Sequence, residues 1–140
     1  MPGLRISRED DAPPAQRDLL EKGLNEHARP FEEGEQPSPL QFYVRNASGE
    51  IVGGLAGGLY DAYVYISLVW VHESLRGTGY GTRLMDLAEA AAREHGCSEA
   101  HLSTLSFQAR PFYEQRGYVV TGSRPYGNDH QRHFMKKDLR

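Results

Sequence analysis

The sequence is poor in cysteine and has no long apolar segment. Cys97 stands alone, which excludes an internal disulfide and a cysteine-rich metal site. A single cysteine also fits a reducing compartment, which we expect to be the cytoplasm. No segment approaches the roughly 20 apolar residues that a membrane-spanning helix needs, and the first residues lack the apolar core of a signal peptide. We therefore expect no membrane partner.

Basic residues are too few and too scattered to form a nucleic-acid site. The 16 Lys and Arg residues are outnumbered by 19 Asp and Glu, which gives a formal net charge of -3 and a pI of about 6.1. This balance provides no broad electrostatic attraction for phosphate backbones. His130 and His133 are close in sequence, but no third histidine or carboxylate stands at ligand spacing. We therefore expect neither a nucleic-acid partner nor a metal.

The remaining composition is that of an ordinary globular protein. Of the 140 residues, 39% are hydrophobic and 25% are charged, and this length is close to the commonest size of a single domain. We predict one domain over 1–140. The periodicities predict helices at 13–29, 82–95 and 109–116, and strands at 3–7, 41–45, 51–59, 63–71, 100–105, 118–123 and 133–137. This order predicts an α/β or α+β fold, with helices packed on a sheet.

One of these strands is predicted at the centre of the sheet. Tyr63–Val71 is apolar or aromatic at nearly every position, a pattern that predicts burial on both faces. The preceding strand has glycine at 53, 54, 57 and 58. Glycine inside a strand often marks a bulge or the close approach of another group, although four glycines in six residues also fit a loosely ordered strand.

A glycine-rich loop, Arg76-Gly77-Thr78-Gly79-Tyr80-Gly81, follows that strand and precedes a helix. Glycines let backbone N–H groups approach a bulky anion without intervening Cβ atoms, and the positive end of the helix dipole adds to the attraction. The loop therefore predicts a phosphate or pyrophosphate site, with Arg76, Thr78 and Thr82 as further donors. A turn that uses glycine for tightness alone is the alternative. Spacing excludes a Walker loop and a dinucleotide fingerprint, because the pattern is G-x-G-x-G without lysine.

Two segments of the second half carry a family resemblance. Residues 69–84 contain the pattern Gln/Arg-x-x-Gly-x-Gly/Ala at Arg76, Gly79 and Gly81, and residues 106–118 follow A-x-x-F-Y-E-K-x-G-F/Y at nearly every marked position. Together they resemble the GNAT superfamily of N-acetyltransferases. The resemblance covers the chain from Gly49 onward. It implies a mixed, mostly antiparallel sheet of six to seven strands with helices on both faces, splayed between the fourth and fifth strands, which are Tyr63–Val71 and 100–105 here.

The resemblance implies that acetyl-CoA binds as a co-substrate. In the family, the backbone of the central strand pairs with the pantetheine arm and the glycine loop holds the pyrophosphate. The acetyl-CoA residues implied here are Val69, Trp70, Val71, Arg76, Gly77, Thr78, Gly79, Tyr80, Gly81, Thr82 and Ser106. Trp70 is open between core packing and lining the acceptor pocket. Ser106 stands where family members often have asparagine.

The resemblance also implies direct attack of a primary amine on the acetyl thioester. Tyr113 matches the family tyrosine that protonates the departing sulfur, and its ordinary pKa of about 10 keeps it protonated at neutral pH. Without that match, a tyrosine on a short helix is more often a packing residue. The base stays open between His72 or Glu73, a water chain and an amine that arrives uncharged, because Tyr63–Val71 lacks the glutamate that some members carry there.

The acceptor is not identified by these motifs. We expect a small molecule rather than a protein, contacted by Phe31, Tyr65 and His130. The acidic loop at 31–39 would suit a cationic amine, although acidic runs are more often simply solvated. The resemblance allows a homodimer, because dimers are common in the family. The alternatives from other classes are a non-catalytic CoA-binding or sensing module and a nucleotide-binding protein.

Overall fold

The computed structural model describes residues 3–28 and 36–140, and the chain divides into two compact units, Met1–Gln36 and Pro37–Arg140. In the first unit, helix α1 (Pro14–Ala28) begins at a proline, which the first turn of a helix tolerates. The predicted first helix is confirmed. The predicted strand at 3–7 is wrong, because residues 4–9 have no regular secondary structure and Leu4 and Ile6 are exposed. An alternating pattern specifies a strand where one face is buried, which is not the case here.

The second unit is a six-stranded sheet with two helices. Its elements are β1 (Ser38–Arg45), β2 (Ile51–Leu59), β3 (Tyr63–Val71), α2 (Tyr80–His95), β4 (Glu99–Leu105), α3 (Arg110–Gln115), β5 (Val119–Tyr126) and β6 (His130–Asp138). The strand order is β1-β2-β3-β4-β6-β5, and all neighbours are antiparallel except β3 and β4, which are parallel. The predicted mixed, mostly antiparallel sheet is confirmed. The last two strands are longer than predicted, and their turn is correspondingly shorter.

The core lies on one face of this sheet. Val64 and Ile66 of β3 and Leu102 of β4 point into it, and α2 covers it with the fully buried Met85 and Ala88. Full burial of a large aliphatic side chain contributes about 1.5–3 kcal/mol. Helix α3 contributes to the same core cluster. Helices α2 and α3 both lie on this one face of the sheet. The expected helix on the other face therefore stays a prediction.

Helix α2 ends where the sequence predicts but begins two residues earlier, at Tyr80, inside the glycine loop. It begins after Gly79 and ends at Gly96, whose N–H bonds back to carbonyls of the last turn. Leu87 is half exposed, because the buried stripe of α2 is centred on Leu84 and Ala88.

A β-bulge interrupts β3. Ile66 pairs with Gly57 of β2 and Leu68 pairs with Ala56, so Ser67 is an extra residue without a register partner. One extra residue in a strand reverses which of the following side chains face the core. The sequence allowed two interpretations of the glycines in β2, a bulge or close approach and a loosely ordered strand. The observed bulge agrees with the first.

Strand β3 is buried on one face only, so the two-sided burial that the sequence predicted is wrong. Beyond the bulge, Val69 and Val71 pack against the core, whereas Leu68 and Trp70 are exposed on the other face. Tyr65 is also exposed, on the same outer face. A central strand can therefore be apolar at nearly every position and still leave one face uncovered.

The bulge lies where β3 and β4 separate. Their parallel ladder runs from Tyr63 and Glu99 to Ile66 and Leu102 and ends there. Beyond this point β3 stays paired with β2, and β4 stays paired with β6 through Leu105. The splay predicted between these two strands is confirmed.

A buried carboxylate joins α2 to the segment that follows α3 and to β6. Glu89 is 2% exposed and accepts hydrogen bonds from Arg116 at 3.0 Å and Tyr118 at 3.1 Å. Lys137 donates to its other oxygen at 2.5 Å. Burying a charge is costly unless it is paired, and two cations surround this one. Burial and the Glu89 carboxylate raise the pKa of Tyr118, which keeps its hydroxyl a donor.

Candidate functional site

A cleft of about 340 Å³ opens where β3 and β4 separate. One wall is formed by the bulged part of β3, and the other by β4 from Leu102 to Leu105. Gln108 and Tyr113 contribute from the segment after β4 and from α3. The separation of two parallel strands thus creates a concave site that is lined by both strands and by a helix.

Tyr113 lines this cleft, as expected of a catalytic residue. Its side chain is 8% exposed, and its ring packs edge-to-face against Phe112 and Tyr118, with centroids 5.2 Å and 5.8 Å away. No hydrogen bond joins its hydroxyl to another of the described residues. Burial raises the pKa of the Tyr113 phenol, so the phenol is protonated at neutral pH. A protonated phenol at a cleft is suited to donate a proton.

The glycine loop ends at a helix start that is open to an anion. Gly77 and Gly79 have φ angles of 77° and 91°, in the left-handed region that glycine adopts at little cost. Gly79 precedes the first turn of α2, no side chain caps that turn, and the turn contains no acidic residue. Uncapped N–H groups and the positive end of the helix dipole attract phosphate groups. The geometry fits the phosphate site that the sequence predicts.

Side chains of the loop contribute less than the sequence suggests. The Thr78 hydroxyl donates to the Leu75 carbonyl, so its proton is engaged within the loop. Gly81 lies inside α2, where a Cβ would meet the Phe112 ring at an ordinary contact distance of 3.6 Å, so packing against α3 does not require glycine here. Arg76 is exposed beside the helix start and stays a candidate donor.

Two further loop positions, Tyr80 and Thr82, fall in the first turn of α2. The Arg83 guanidinium lies 5.0 Å above the Tyr80 ring, which fixes that ring against the helix. Thr82 is exposed, and its hydroxyl makes no hydrogen bond within the described part of the chain. Both positions place backbone N–H groups at the helix start, as the resemblance implies.

The end of β3 places its predicted residues on two faces. Val69 lines the cleft and Val71 packs against the core, and the backbone of both lies beyond the ladder with β4. Trp70 is 50% exposed and meets the His72 ring edge-on at 6.2 Å. Trp70 is therefore not a core residue, and its contact with the acceptor stays a prediction.

The remaining candidates lie beside the cleft rather than in its lining. The Ser106 Oγ accepts from the Gln131 N–H at 3.0 Å and lies 3.3 Å from His130 Nδ1, so these residues hold the start of β6. Tyr65 lies on the outer face of β3 before the bulge. Phe31 lies outside the described residues.

The two ionisable residues at the end of β3 are not placed as bases. His72 Nδ1 accepts from the Ser74 N–H at 3.1 Å and thereby caps the short 3₁₀ helix Glu73–Leu75. His72 and Glu73 are both exposed, and neither lines the cleft. For the removal of the amine proton, this geometry leaves two interpretations: the amine arrives uncharged, or a chain of water molecules accepts its proton.

Sequence reasoning missed the one charged side chain among the described residues that line the cleft, Arg132 of β6. Its guanidinium donates to Ser103 Oγ at 3.1 Å and lies 5.8 Å from the centre of the Tyr126 ring. A single arginine in a strand carries no recognisable pattern. Its position follows from the register of β6 on β4, which pairs Arg132 with Leu105.

His133, the second of the two histidines near the C-terminus, is a buried residue of β6. It lies 2.7 Å from the Ser123 hydroxyl and 3.4 Å from Arg110. Within 3–28 and 36–140, no group of three or more His, Cys, Asp or Glu side chains could hold a metal ion. Over the same ranges, no helix is long and apolar enough to cross a membrane.

Comparison with known proteins agrees with this geometry. The model of the acetyltransferase (GNAT) family matches residues 6–118. The blasticidin-S acetyltransferase of Streptomyces morookaense is 39% identical over 106 residues, which cover 72% of this chain and 78% of that protein. The crystal structure of an acetyltransferase from Bacillus cereus superposes with a TM-score of 0.82 and 29% identity, over 94% of this chain and 97% of that chain.

A Bacillus anthracis protein crystallised in complex with acetyl coenzyme A also shares the fold. Its TM-score is 0.64 at 23% identity, and the match covers 74% of this chain and 64% of that chain. The fold, with its split between two parallel strands, and the relatives define an acyltransferase. The chain belongs to the GNAT family of acetyltransferases.

Proposed function

We propose that this acetyltransferase moves the acetyl group of acetyl-CoA to a primary amine of a small molecule. The observation that carries the proposal is the position of Tyr113 on a cleft bounded by β3, the strand that leads into the glycine loop. We also propose that residues 1–140 act as one domain and that the protein acts in the cytoplasm. A homodimer is compatible with the proposal and can be tested by measuring the molar mass in solution.

Acetyl-CoA fits two features of this arrangement. The N–H groups from Gly77 to Thr82, together with Arg76, would hold its pyrophosphate, because Gly79 puts no Cβ between backbone and anion. The backbone of Val69–Val71, beyond the ladder with β4, would hold the pantetheine arm as an added strand does. The bound co-substrate supplies an acetyl group already activated as a thioester. Ser106 stays a candidate contact beside the cleft.

The residues at the cleft would assist the transfer. The amine nitrogen forms a bond to the acetyl carbon while the carbon–sulfur bond breaks, so the nitrogen loses a proton and the sulfur gains one. We assign the proton on sulfur to Tyr113, whose phenol burial keeps protonated. A backbone N–H of Trp70 or Val71 would stabilise negative charge on the carbonyl oxygen.

A small-molecule acceptor is favoured over a protein for two reasons. The relative that is 39% identical is named for acetylation of blasticidin-S, a small molecule. The cleft is also lined by the inward part of two strands and one short helix, a concave site of the kind that takes small ligands, rather than by a broad flat surface. No carboxylate or imidazole lines the cleft among the described residues, so we propose that the amine arrives uncharged or passes its proton to water.

The test is CoA release from acetyl-CoA, followed with a thiol reagent, over a panel of polyamines, amino acids, aminoglycosides and lysine peptides. We expect release that depends on one class of small amine, with the N-acetylated product detected by mass spectrometry. Saturable CoA binding without turnover on any amine would instead indicate a non-catalytic CoA-binding module.

Thermal unfolding with CoA and with ATP provides the control for the nucleotide-binding alternative. A ligand that binds the native state raises the melting temperature by mass action. We expect CoA to protect the protein more than ATP at equal concentration. CoA has a pantetheine arm that can bind in the β3–β4 cleft, and ATP has none. Equal protection would favour a nucleotide-binding protein.

A further inference from the structure

The cleft carries a positive charge that acetyl transfer itself does not require. Among its described lining residues, Arg132 alone is charged, and the others are apolar or neutral polar groups. No carboxylate of residues 3–28 or 36–140 lies within 4.0 Å of its guanidinium. The other arginines near the core differ in this respect, since Arg116 and Arg110 are each paired with a glutamate.

Arg132 is held in place by neutral groups. One amino group donates to Ser103 Oγ at 3.1 Å, and the Tyr126 ring lies 5.8 Å from the guanidinium carbon. A guanidinium has five N–H donors in a rigid fork, so this contact leaves most of them for an anion. A partly buried cation held in this way suits a planar oxyanion, and a carboxylate matches its fork with two hydrogen bonds.

The face of the sheet on which Arg132 lies separates it from the expected pyrophosphate site. His133 and Met135 of β6 are buried in the core, so Arg132 faces the other way. Helix α2, whose start is open to phosphate, covers the core face. Leu68 of β3 is exposed on the outer face and lines the same cleft as Arg132. The outer face is therefore the side from which a second substrate reaches the cleft.

From these positions we infer that the acceptor amine also carries a carboxylate, which Arg132 binds at the outer side of the cleft. This inference rests on the proposed function and specifies the substrate class of the same site. The acceptor is an amine with an anionic arm, and Arg132 is a specificity-determining residue. Such an acceptor carries both charges, on the amine and on the carboxylate.

The test compares each accepted amine as its free acid and as its amide, for instance an amino acid against the amino acid amide. The amide has the less basic amine, so the chemistry alone favours it, and preference for the acid has to come from the site. We expect the acid to have the higher kcat/KM. Arg132→Gln should raise KM for the acid about ten- to hundredfold, the loss expected for a hydrogen bond to a charged group, with kcat within about threefold.

Two further variants sharpen the comparison. Arg132→Lys keeps the charge but not the fork, so we expect a KM between those of wild type and Arg132→Gln. Arg45→Gln is the matched control, because Arg45 lies at the end of β1, 5.9 Å from the centre of the Tyr43 ring, and does not line the cleft. This variant should leave kcat/KM unchanged for both the acid and the amide. Calorimetric binding of the acid and the amide to the CoA-bound protein should reproduce the same ratios.

The outcomes separate this inference from the proposed function. Turnover of acid and amide with equal kcat/KM, unchanged by Arg132→Gln, would overturn the inference and leave acetyl transfer intact. Turnover of an amine that carries no anionic group, in preference to all others, would overturn it as well. Failure of every amine in the panel, with acetyl-CoA still bound, contradicts the proposed function and the inference with it.

Discussion

The Tyr113 hydroxyl is an isolated polar group on a well-packed ring. Phe112 and Tyr118 contact the ring, while no described residue hydrogen-bonds the oxygen. The Tyr118 hydroxyl nearby is in the opposite situation, because it donates to the buried Glu89. Two neighbouring tyrosines are therefore separable by experiment, one expected to serve the reaction and the other the fold.

We expect Tyr113→Phe to lower kcat about a hundredfold or more, because the phenol is assigned as proton donor to the sulfur. The acetyl-CoA Kd and the free energy of unfolding should stay close to wild type, since no hydrogen bond within the described chain is lost. Tyr118→Phe should show the reverse, a loss of about 1–3 kcal/mol in urea unfolding with kcat little changed. Wild-type turnover in Tyr113→Phe, measured where the chemical step is rate-limiting, would remove Tyr113 from this role.

Single residues differ in how far the sequence determines their position. Tyr113 could be predicted because it stands in a motif with marked neighbours. Arg132 could not, because its place on the cleft depends on the pairing of β6 with β4 and on the separation of β4 from β3. The exposure of Trp70 was equally out of reach, since it depends on one unpaired residue, Ser67, in the ladder.

Among the elements, β3 determines the site through its bulge. The extra residue turns Leu68 to the outer face and Val69 to the core at the point where β4 departs. Gly57 lies opposite the bulge, and a Cβ placed on it would be far inside van der Waals contact with the Tyr65 carbonyl oxygen. The close approach of β2 to β3 therefore needs glycine at this position.

We expect Gly57→Ala to lower the free energy of unfolding by about 1–3 kcal/mol, because the backbone of β3 has to move away from the new methyl group. Gly122→Ala is the matched control within a strand, since a Cβ placed on Gly122 would have no atom within 4 Å and its φ is not positive. It should change stability by less than about 0.5 kcal/mol. Urea unfolding of the two variants gives the comparison, and equal stability would contradict a tight β2–β3 contact at the bulge.

Elements were predictable where a pattern has one cause. The end of α2 follows from Gly96, and the boundaries of β2 and β3 follow from turn residues. The strand at 3–7 was wrong because alternation without a buried face does not specify pairing. The two-sided burial of β3 was wrong because composition does not report which faces neighbouring elements cover.

At the scale of the whole molecule, the proposed co-substrate site combines two separate features. One is the proposed anion site of the glycine loop at the start of α2, and the other is the cleft between two strands. They are joined because β3 lines the cleft and leads directly into the loop. The family resemblance predicted this combination from two motifs, whereas the acceptor side depends on residues that no motif marks.

The affinity for acetyl-CoA of paired glycine variants tests the central claim most directly. Gly79 and Gly49 have similar φ angles, 91° and 84°, and a Cβ placed on either would have no atom within 4 Å. Valine at either position should strain the backbone to a similar extent, but Gly49 lies in the β1–β2 turn. By calorimetry we expect Gly79→Val to weaken acetyl-CoA binding at least tenfold, about 1.4 kcal/mol, while Gly49→Val binds like wild type. Equal affinity of the two folded variants would contradict a pyrophosphate site at the start of α2.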